Sequence, residues 1–416
     1  MRRLMRFCAC LMFASLTGCS TFKQPSEQEK HNVSEMTSDM RTWALGRGLI
    51  DLPANWAGGG YVKLYYGLDA NHSTVEVRIV GEGVTQKRFD EALQERASRI
   101  ATVKNDGLNN ISMLVSARGE TRQRIMLQYF ESTEVPDTFV HEFHLLVDDA
   151  YVMLRAESYN GNIAPVEARL KKLSKEIFKV AAPNAGAGFA LGPIVIRSHH
   201  DQEVATFRFR PPASNVALEV YINALSPSQT KSIRARTEEG VGTFLAGDYE
   251  KLRAGKITLA GMPAEESLIG FSDDTHRQIL FGSENYRDNP SLSRPSMNFR
   301  FTAGGKKRAP IDPDKPKDLV RWTLPAFASR GYELPLWQRP ASRDPVNPSL
   351  TDYEAMAVWD AILKSVRIRL NSVAVTPDPY THVRFPSAEE IAEGKRVLDE
   401  LLATGPDGQP WKPESW

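Results

Sequence analysis

Few residues of this chain have types and spacing that could do chemistry. His141-Glu142-Phe143-His144 comes nearest to the zinc-binding His-Glu-x-x-His helix. Its histidines are one residue too close, and the apolar alternation around them reads as a strand, with His141 and Phe143 facing one way and Glu142 and His144 the other. A shared metal is not expected there. His199-His200-Asp201 stands at a strand end before a turn, where neighbouring side chains diverge, so a solvated turn is expected rather than a metal site. Glu265-Glu266 offers two carboxylates, but consecutive residues on an extended chain rarely converge on one substrate atom, as acid–base work requires. That pair suits a structural role or the recognition of a partner's basic group. The sequence holds no Gly-x-Ser-x-Gly elbow, no phosphate-binding P-loop and no His-Glu-x-x-His motif. The expectation is a protein that is not an enzyme and has no metal or cofactor.

The amino terminus is more specific. Arg2, Arg3 and Arg6 precede the apolar run Phe7 to Leu16, the layout of a secretory signal and too short to span a bilayer. The run ends in Leu16-Thr17-Gly18-Cys19, which resembles the bacterial lipobox. That resemblance implies that residues 1–18 are removed and that Cys19 takes a diacylglycerol, whose two chains make membrane attachment stable. Ser20, directly after Cys19, leans towards the outer membrane. Residues 19–40 are polar, without apolar period, and are expected to be a flexible tether.

Composition narrows the rest. The 416 residues hold 52 basic and 51 acidic side chains; loss of residues 1–18 removes three Arg, leaving a net charge near −2 and no electrostatic case for nucleic acid. Hydrophobic residues at 41% suffice for ordinary cores. Cys8 and Cys10 leave with the signal and Cys19 is acylated, so the folded body has no thiol for a disulfide, a metal or nucleophilic attack.

The elements that must position any site follow from periodicity. Val75, Val77 and Ile79, then Ile125, Leu127 and Tyr129, then Phe139, Phe143, Leu145 and Val147, then Val152, Leu154 and Ala156 mark half-buried strands joined by short turns, hence antiparallel. Phe89, Leu93, Ala97 and Ile100 share a helical stripe from Thr85, and a second helix opening at Pro165 carries Val166, Leu170, Leu173, Ile177 and Val180. Ala181 to Gly188 reads as an interdomain hinge. Beyond it, strands are expected over Ile194 to Ile196, Val204 to Phe209, Val216 to Ile222, Lys256 to Leu259, Ser267 to Phe271, Arg277 to Phe281 and Met297 to Phe301, with helical segments over Ser226 to Arg236 and Gly242 to Arg253. A closing helix starts at Ser349 or Thr351, with capping boxes to Asp352 or Glu354, and carries Met356, Trp359, Leu363, Val366 and Leu370, with Arg367 and Arg369 in its last turn. The Pro-rich passage Ala303 to Pro348 contains Trp322 and Trp337, aromatics that could anchor a partner or pin the loop to the sheet. The fold class is α+β: two related domains, 41–182 and 189–376, each a mainly antiparallel sheet with packed helices and a closing amphipathic helix, then a tail over 377–416 with a short helix.

A family resemblance completes the reading. Leu45-Gly46-Arg47-Gly48-Leu49-Ile50-Asp51-Leu52-Pro53 resembles the opening of the amino-terminal domain of the type VI lipase immunity proteins. The stretch around Gly261-Met262-Pro263-Ala264-Glu265-Glu266, the Trp322 segment, and Trp359-Asp360 to Ser365-Val366-Arg367-Ile368-Arg369 resemble their carboxy-terminal domain. The resemblance implies a periplasmic, lipid-anchored protein that binds a cognate phospholipase effector of type VI secretion, gripping it between two domains to block its substrate entrance or lid. Glu265, Glu266, Trp322 and Trp337 are the partner-binding candidates. The alternative is a non-enzymatic envelope lipoprotein that binds another ligand or an assembly partner.

Overall fold

A computed structural model describes residues 24–67, 73–184, 186–212, 214–225, 231–244, 248–272, 276–285, 290–308, 340–370 and 372–373. Cys19, Trp322, Trp337 and the expected tail lie outside them. In chain order the elements are α1 (Glu27–Ser38), β1 (Met40–Leu45), β2 (Gly48–Pro53), β3 (Ala57–Tyr66), β4 (Ser73–Gly81), α2 (Gln86–Thr102), β5 (Lys104–Asn105), β6 (Ile111–Ser112), β7 (Leu114–Thr121), β8 (Arg124–Phe130), β9 (Thr138–Val147), β10 (Ala150–Tyr159), α3 (Ile163–Ser174) and β11 (Ile177–Lys179). There follow β12 (Phe189–Leu191), β13 (Ile194–Ile196), β14 (Gln202–Arg210), β15 (Ala217–Asn223), α4 (Ile233–Phe244), β16 (Asp248–Leu259), β17 (Met262–Ser272), β18 (Arg277–Asn285), β19 (Ser296–Arg308), β20 (Pro340–Val346), α5 (Asp352–Ser365) and β21 (Arg367–Ile368). The α+β class is as expected, and the strands pair antiparallel.

One 13-stranded sheet organises the chain, with β20 attached to β19 and the other strands in the order β16-β17-β18-β19-β15-β14-β3-β4-β10-β9-β8-β7. Read outwards from its middle, the order is β3-β4-β10-β9-β8-β7 on one side and β14-β15-β19-β18-β17-β16 on the other. Each half therefore runs two strands, a helix (α2 or α4), four strands that fold back towards the second, and a closing helix (α3 or α5). The topology repeats. The two first strands, β3 and β14, pair antiparallel from Gln202↔Tyr65 to Arg210↔Ala57, so the halves are related by an approximate two-fold axis normal to the sheet. Glycine makes this seam possible: a Cβ on Gly58 would stand 2.0 Å from the Phe209 ring, and one on Gly60 2.7 Å from the Phe207 ring.

The sheet's inner face is a single apolar core. Val62, Leu64, Val77, Phe143 and Leu154 from one half join Phe207, Phe209, Val220, Phe281, Phe299 and Phe301 from the other. The small sheets β1-β2-β21 and β11-β13-β12, together with α3 and α5, cover it. Trp43 packs edge-on against Phe209 and Phe189 stacks on Phe207. On α5, capped by the Thr351/Glu354 box, fully buried Trp359 meets Phe281 and Phe301 edge-on at 6.0 and 6.1 Å. Helix α2 lies on the outer face, where Phe89, Ala92 and Ile100 bury against β8, β9 and β10.

Several expectations need correction. Residues 27–38 of the expected tether form α1, because Ser26 and Glu29 make a reciprocal capping box and Asn32 Nδ2 donates to Glu354 Oε1 at 2.6 Å, tying it to α5. Helix α3 ends at Ser174, and Ile177 belongs to β11, where it pairs with Ile196. Residues 248–253, expected in a helix, open strand β16 and pair with β17. Helix α5 stops at Ser365; Arg367 is in β21, and Leu370 is 87% exposed rather than on a buried stripe. The expected hinge at 181–188 is held fast: Arg369 donates to the carbonyls of Gly186 and Gly188, and Gly188 N–H donates to the Ser372 carbonyl at 3.0 Å. A swing there would also have to break the β3/β14 seam.

Trp359→Ala removes the side chain that fills the space between α5 and β18/β19. The expected cost is about 3–5 kcal/mol of stability, read as a lowered urea midpoint at constant m-value.

Candidate functional site

Residues that looked chemical in the sequence are used for construction. Glu142 is fully buried on β9, where Arg96 of α2 grips both its oxygens (2.9 and 2.6 Å), Tyr129 Oη donates to it at 2.8 Å and His144 Nε2 lies 3.2 Å away. His144 Nδ1 bonds Tyr151 Oη at 2.7 Å. His141 points to the opposite face and bonds Ser158, as strand alternation requires. Burial alone would raise the Glu142 pKa, but the Arg96 charge and the bonds from His144 and Arg96 hold it well below the ordinary carboxylate range. With every polar neighbour engaged and no exposure, this is a pin between α2 and the sheet.

A second buried cluster joins the β1/β2 turn to β14 and to the stretch after β21. Arg47 is bidentate on Glu203 (2.9 and 3.0 Å) and reaches the Ser372 carbonyl at 2.6 Å, while His200 Nε2 lies 2.9 Å from Glu203. His200 is thus buried beside a carboxylate, not in the solvated turn expected of it. Arg369 donates to the carbonyls of Gly46, Gly186 and Gly188, and burial with Arg47 nearby lowers its pKa to about 10. Among the described residues, no group of three or more His, Cys, Asp and Glu side chains could hold a metal.

The acidic candidates separate. Glu266 is 4% exposed and points into the core, where Arg253 holds both its oxygens (2.7 and 3.2 Å) and Trp359 Nε1–H donates at 3.2 Å. It anchors α5 from the buried side of β17. Glu265, one residue away, faces the other side of the sheet, where it stands opposite Lys256 and Glu284. Glu284 is in turn paired with Arg236 of α4.

Among the described residues, no element covers the middle of that outer face, between α2 on β8–β10 and α4 on β16–β18, although Thr206, Asn223, Glu76 and Glu284 are buried among their neighbours there. Strand register lays it out in rows. One row runs Arg78, Tyr61, Thr206, Tyr221, Asn298, Glu284 and ends at Glu265. Beside it on one side lie Gly59, Arg208, Glu219 and Arg300, and on the other Glu76, Lys63, Val204 and Asn223. Arg78 lies over the Tyr61 ring at 4.3 Å and pairs with Glu76, and Arg208 Nε donates to Glu219 at 2.7 Å. Tyr65 and Tyr61 lie close enough to Tyr221 to add to the burial that raises its phenol pKa. Gly59, Lys63 and Arg300 are exposed, and no described atom lies within 4 Å of where a Cβ on Gly59 would stand. Sequence reading missed this floor. Its signal was the polar half of the alternation in β3, β14, β15 and β19, which periodicity assigns to "outside" without ranking. Among its described side chains, no nucleophile and base are paired.

Arg96→Met leaves the Glu142 carboxylate buried without its cation, and should cost about 3–5 kcal/mol in urea unfolding at pH 7. Because the folded-state pKa of Glu142 is depressed, the stabilisation it contributes is complete above its unfolded pKa and is lost as pH falls below about 4.3 towards the folded value. The wild-type chain should therefore lose stability through that acid range, and Arg96→Met should show a shallower acid dependence.

The comparisons bear on what such a body is. Residues 183–322 match the family model of the Tle cognate immunity protein 4 C-terminal domain. No curated relative matches the chain. In fold it is similar to the apo structure of the immunity protein TplEi of the type VI secretion system from Pseudomonas aeruginosa, at 17% identity and a TM-score of 0.52, over 79% of this chain and 97% of that one. It is also similar to a chain in the crystal structure of the Tle4-Tli4 complex, at 17% identity and a TM-score of 0.54, over 80% of this chain and 98% of that one. The family resemblance is thereby borne out over residues 183–322, where the match to the Tle cognate immunity protein 4 C-terminal domain includes Gly261 to Glu266.

Proposed function

We propose that this chain is an immunity protein that binds a type VI secretion phospholipase effector in the periplasm and inhibits it by occupying its surface. The observation that carries this reading is the family match over residues 183–322, on a fold similar to TplEi and to a chain of the Tle4-Tli4 complex. The buried state of Glu142, His144, Glu203 and His200 agrees with inhibition by binding, since these acid–base groups are engaged inside the fold.

The segments 41–182 and 189–376 act in this reading as two lobes that hold the effector and block its substrate entrance or its lid. Their fusion through β3 and β14 makes the grip preformed, which lowers the ordering cost of binding. Cys19, once acylated, anchors the protein to the membrane, with Ser20 favouring the outer one. Among the described residues, no helix is long and apolar enough to cross a membrane.

Two outcomes are expected. Cells producing the cognate type VI secretion phospholipase effector in the periplasm should survive when this chain is co-expressed, and the purified effector should lose activity in stoichiometric mixture with it; an effector left fully active by excess protein, or lipid hydrolysis by this chain alone, overturns the reading. Cys19→Ala should move the protein from the membrane to the soluble fraction on cell fractionation, whereas unchanged partition removes the anchor.

A further inference from the structure

The open floor on the outer face has a charge pattern beyond mere exposure. Of its four cations, Arg78 is matched by Glu76 and Arg208 by Glu219. Lys63 and Arg300, both exposed, stand opposite Glu76 and Glu219, whose carboxylates are already held by Arg78 and Arg208, and neither cation has an ion pair of its own among the described residues. They lie at opposite sides of the floor, Lys63 on β3 and Arg300 on β19, with Thr206 and Tyr221 between them and Tyr61 and Tyr65 as Lys63's neighbours on β3. Over its five strands β4 to β19 the floor carries four cations against two anions, Glu76 and Glu219, and Glu284, paired with Arg236, and Glu265 border it on β18 and β17; a positive surface floored by tyrosines has the composition of a protein-binding patch, where Tyr and Arg are enriched and provide rigid contact area. A membrane surface would instead call for several exposed aliphatic side chains beside the cations, whereas the uncharged, non-aromatic positions of these rows are Gly59, Thr206, Asn298, Asn223 and Val204, of which Val204 alone is a large aliphatic and is only half-buried.

We propose that this floor, with Lys63 and Arg300 as its unmatched charges and Tyr61, Tyr65 and Tyr221 between α2 and α4, receives an acidic patch on the effector protein. The proposal rests on the immunity reading and adds the face by which the partner is held. Size constrains the contact. Five strands from β4 to β19 span roughly 19 Å, and six residues along each span roughly 20 Å, so the floor offers about 400 Å², half of what one side of a standard interface buries. The partner must therefore also touch the flanking helices α2 and α4. It enters the space between the two lobes and presents carboxylates to both ends of the floor. The approximate two-fold axis through the β3/β14 seam passes through this floor, so both halves of the repeat contribute to one contact.

The test is a titration of the full mature chain against the cognate type VI secretion phospholipase effector, at several salt concentrations. Lys63→Glu with Arg300→Glu should weaken binding roughly 100-fold and flatten its salt dependence, because like charges then face each other. Lys172→Glu with Lys364→Glu changes net charge equally at exposed positions on α3 and α5, over the inner face, and should leave affinity unchanged. Unaltered circular dichroism and thermal midpoint of both variants exclude misfolding. Equal weakening by both pairs would make the effect one of net charge and overturn the proposal. Wild-type affinity in the Lys63/Arg300 variant would overturn it while leaving the immunity reading intact. A wild-type chain that does not bind the lipase overturns that reading and the surface assignment with it.

Discussion

The antiparallel pairing of β3 with β14 is the constraint on which the rest of the molecule depends. Each half alone has an edge at its first strand, and an unpaired edge is a site for misassociation. Joining the two first strands removes both edges and turns two six-stranded units into one surface. The inner faces then share one core, and the outer faces share one floor. Gly58 and Gly60 permit this, since the rings of Phe207 and Phe209 occupy the space that side chains there would need. The small residues that look weakest by strand propensity are therefore required by the packing.

Charged residues inside the body lock elements that hydrophobic contact alone would leave free to slide. Arg96 with Glu142 fixes α2 on its strands, Arg253 with Glu266 and Trp359 fixes α5, and Arg47 with Glu203 ties the first hairpin to β14. Arg96–Glu142 and Arg47–Glu203 span elements distant in sequence, Arg253–Glu266 bridges the β16/β17 hairpin and reaches α5 through Trp359, and each pair forms more than one hydrogen bond, so partial assembly leaves a buried charge unmatched. The carboxy-terminal stretch closes the structure over the beginning of the chain: Arg369 and the Ser372 carbonyl hold Gly186, Gly188 and Arg47. A region that the sequence presents as a flexible link is for that reason part of the fixed frame.

This arrangement suits a protein that acts by shape. An outer face spread over five strands has its side chains placed by the backbone register, which keeps the ordering cost of any contact made there low. Helices α2 and α4 stand on the same face at either side, a consequence of the repeated topology. The two-fold relation puts equivalent elements of both halves around one open area while their sequences remain free to differ.

Much of the fold was legible in the residues themselves. Strand alternation located β4, β8, β9, β10 and the cores of β13 to β15, and the Thr85 and Thr351 caps located the starts of α2 and α5, because these signals are local and follow from backbone geometry. The same locality explains the errors. Ile177 fits a helical stripe until pairing with Ile196 claims it, and α1 is stable because α5 offers Glu354 to Asn32. The opposite facing of Glu265 and Glu266 was implicit in their adjacency, but which of them met Arg253 and Trp359 was not. The sequence by itself determined the α+β class, the antiparallel strands and the lack of thiols in the folded body. Only the tertiary structure decided that two halves form one sheet, that His141, Glu142, His144, His200 and Glu266 are internal while His199 and Glu265 are not, and that no described element covers the polar side of β3, β14, β15 and β19, because those outcomes depend on which distant strands meet.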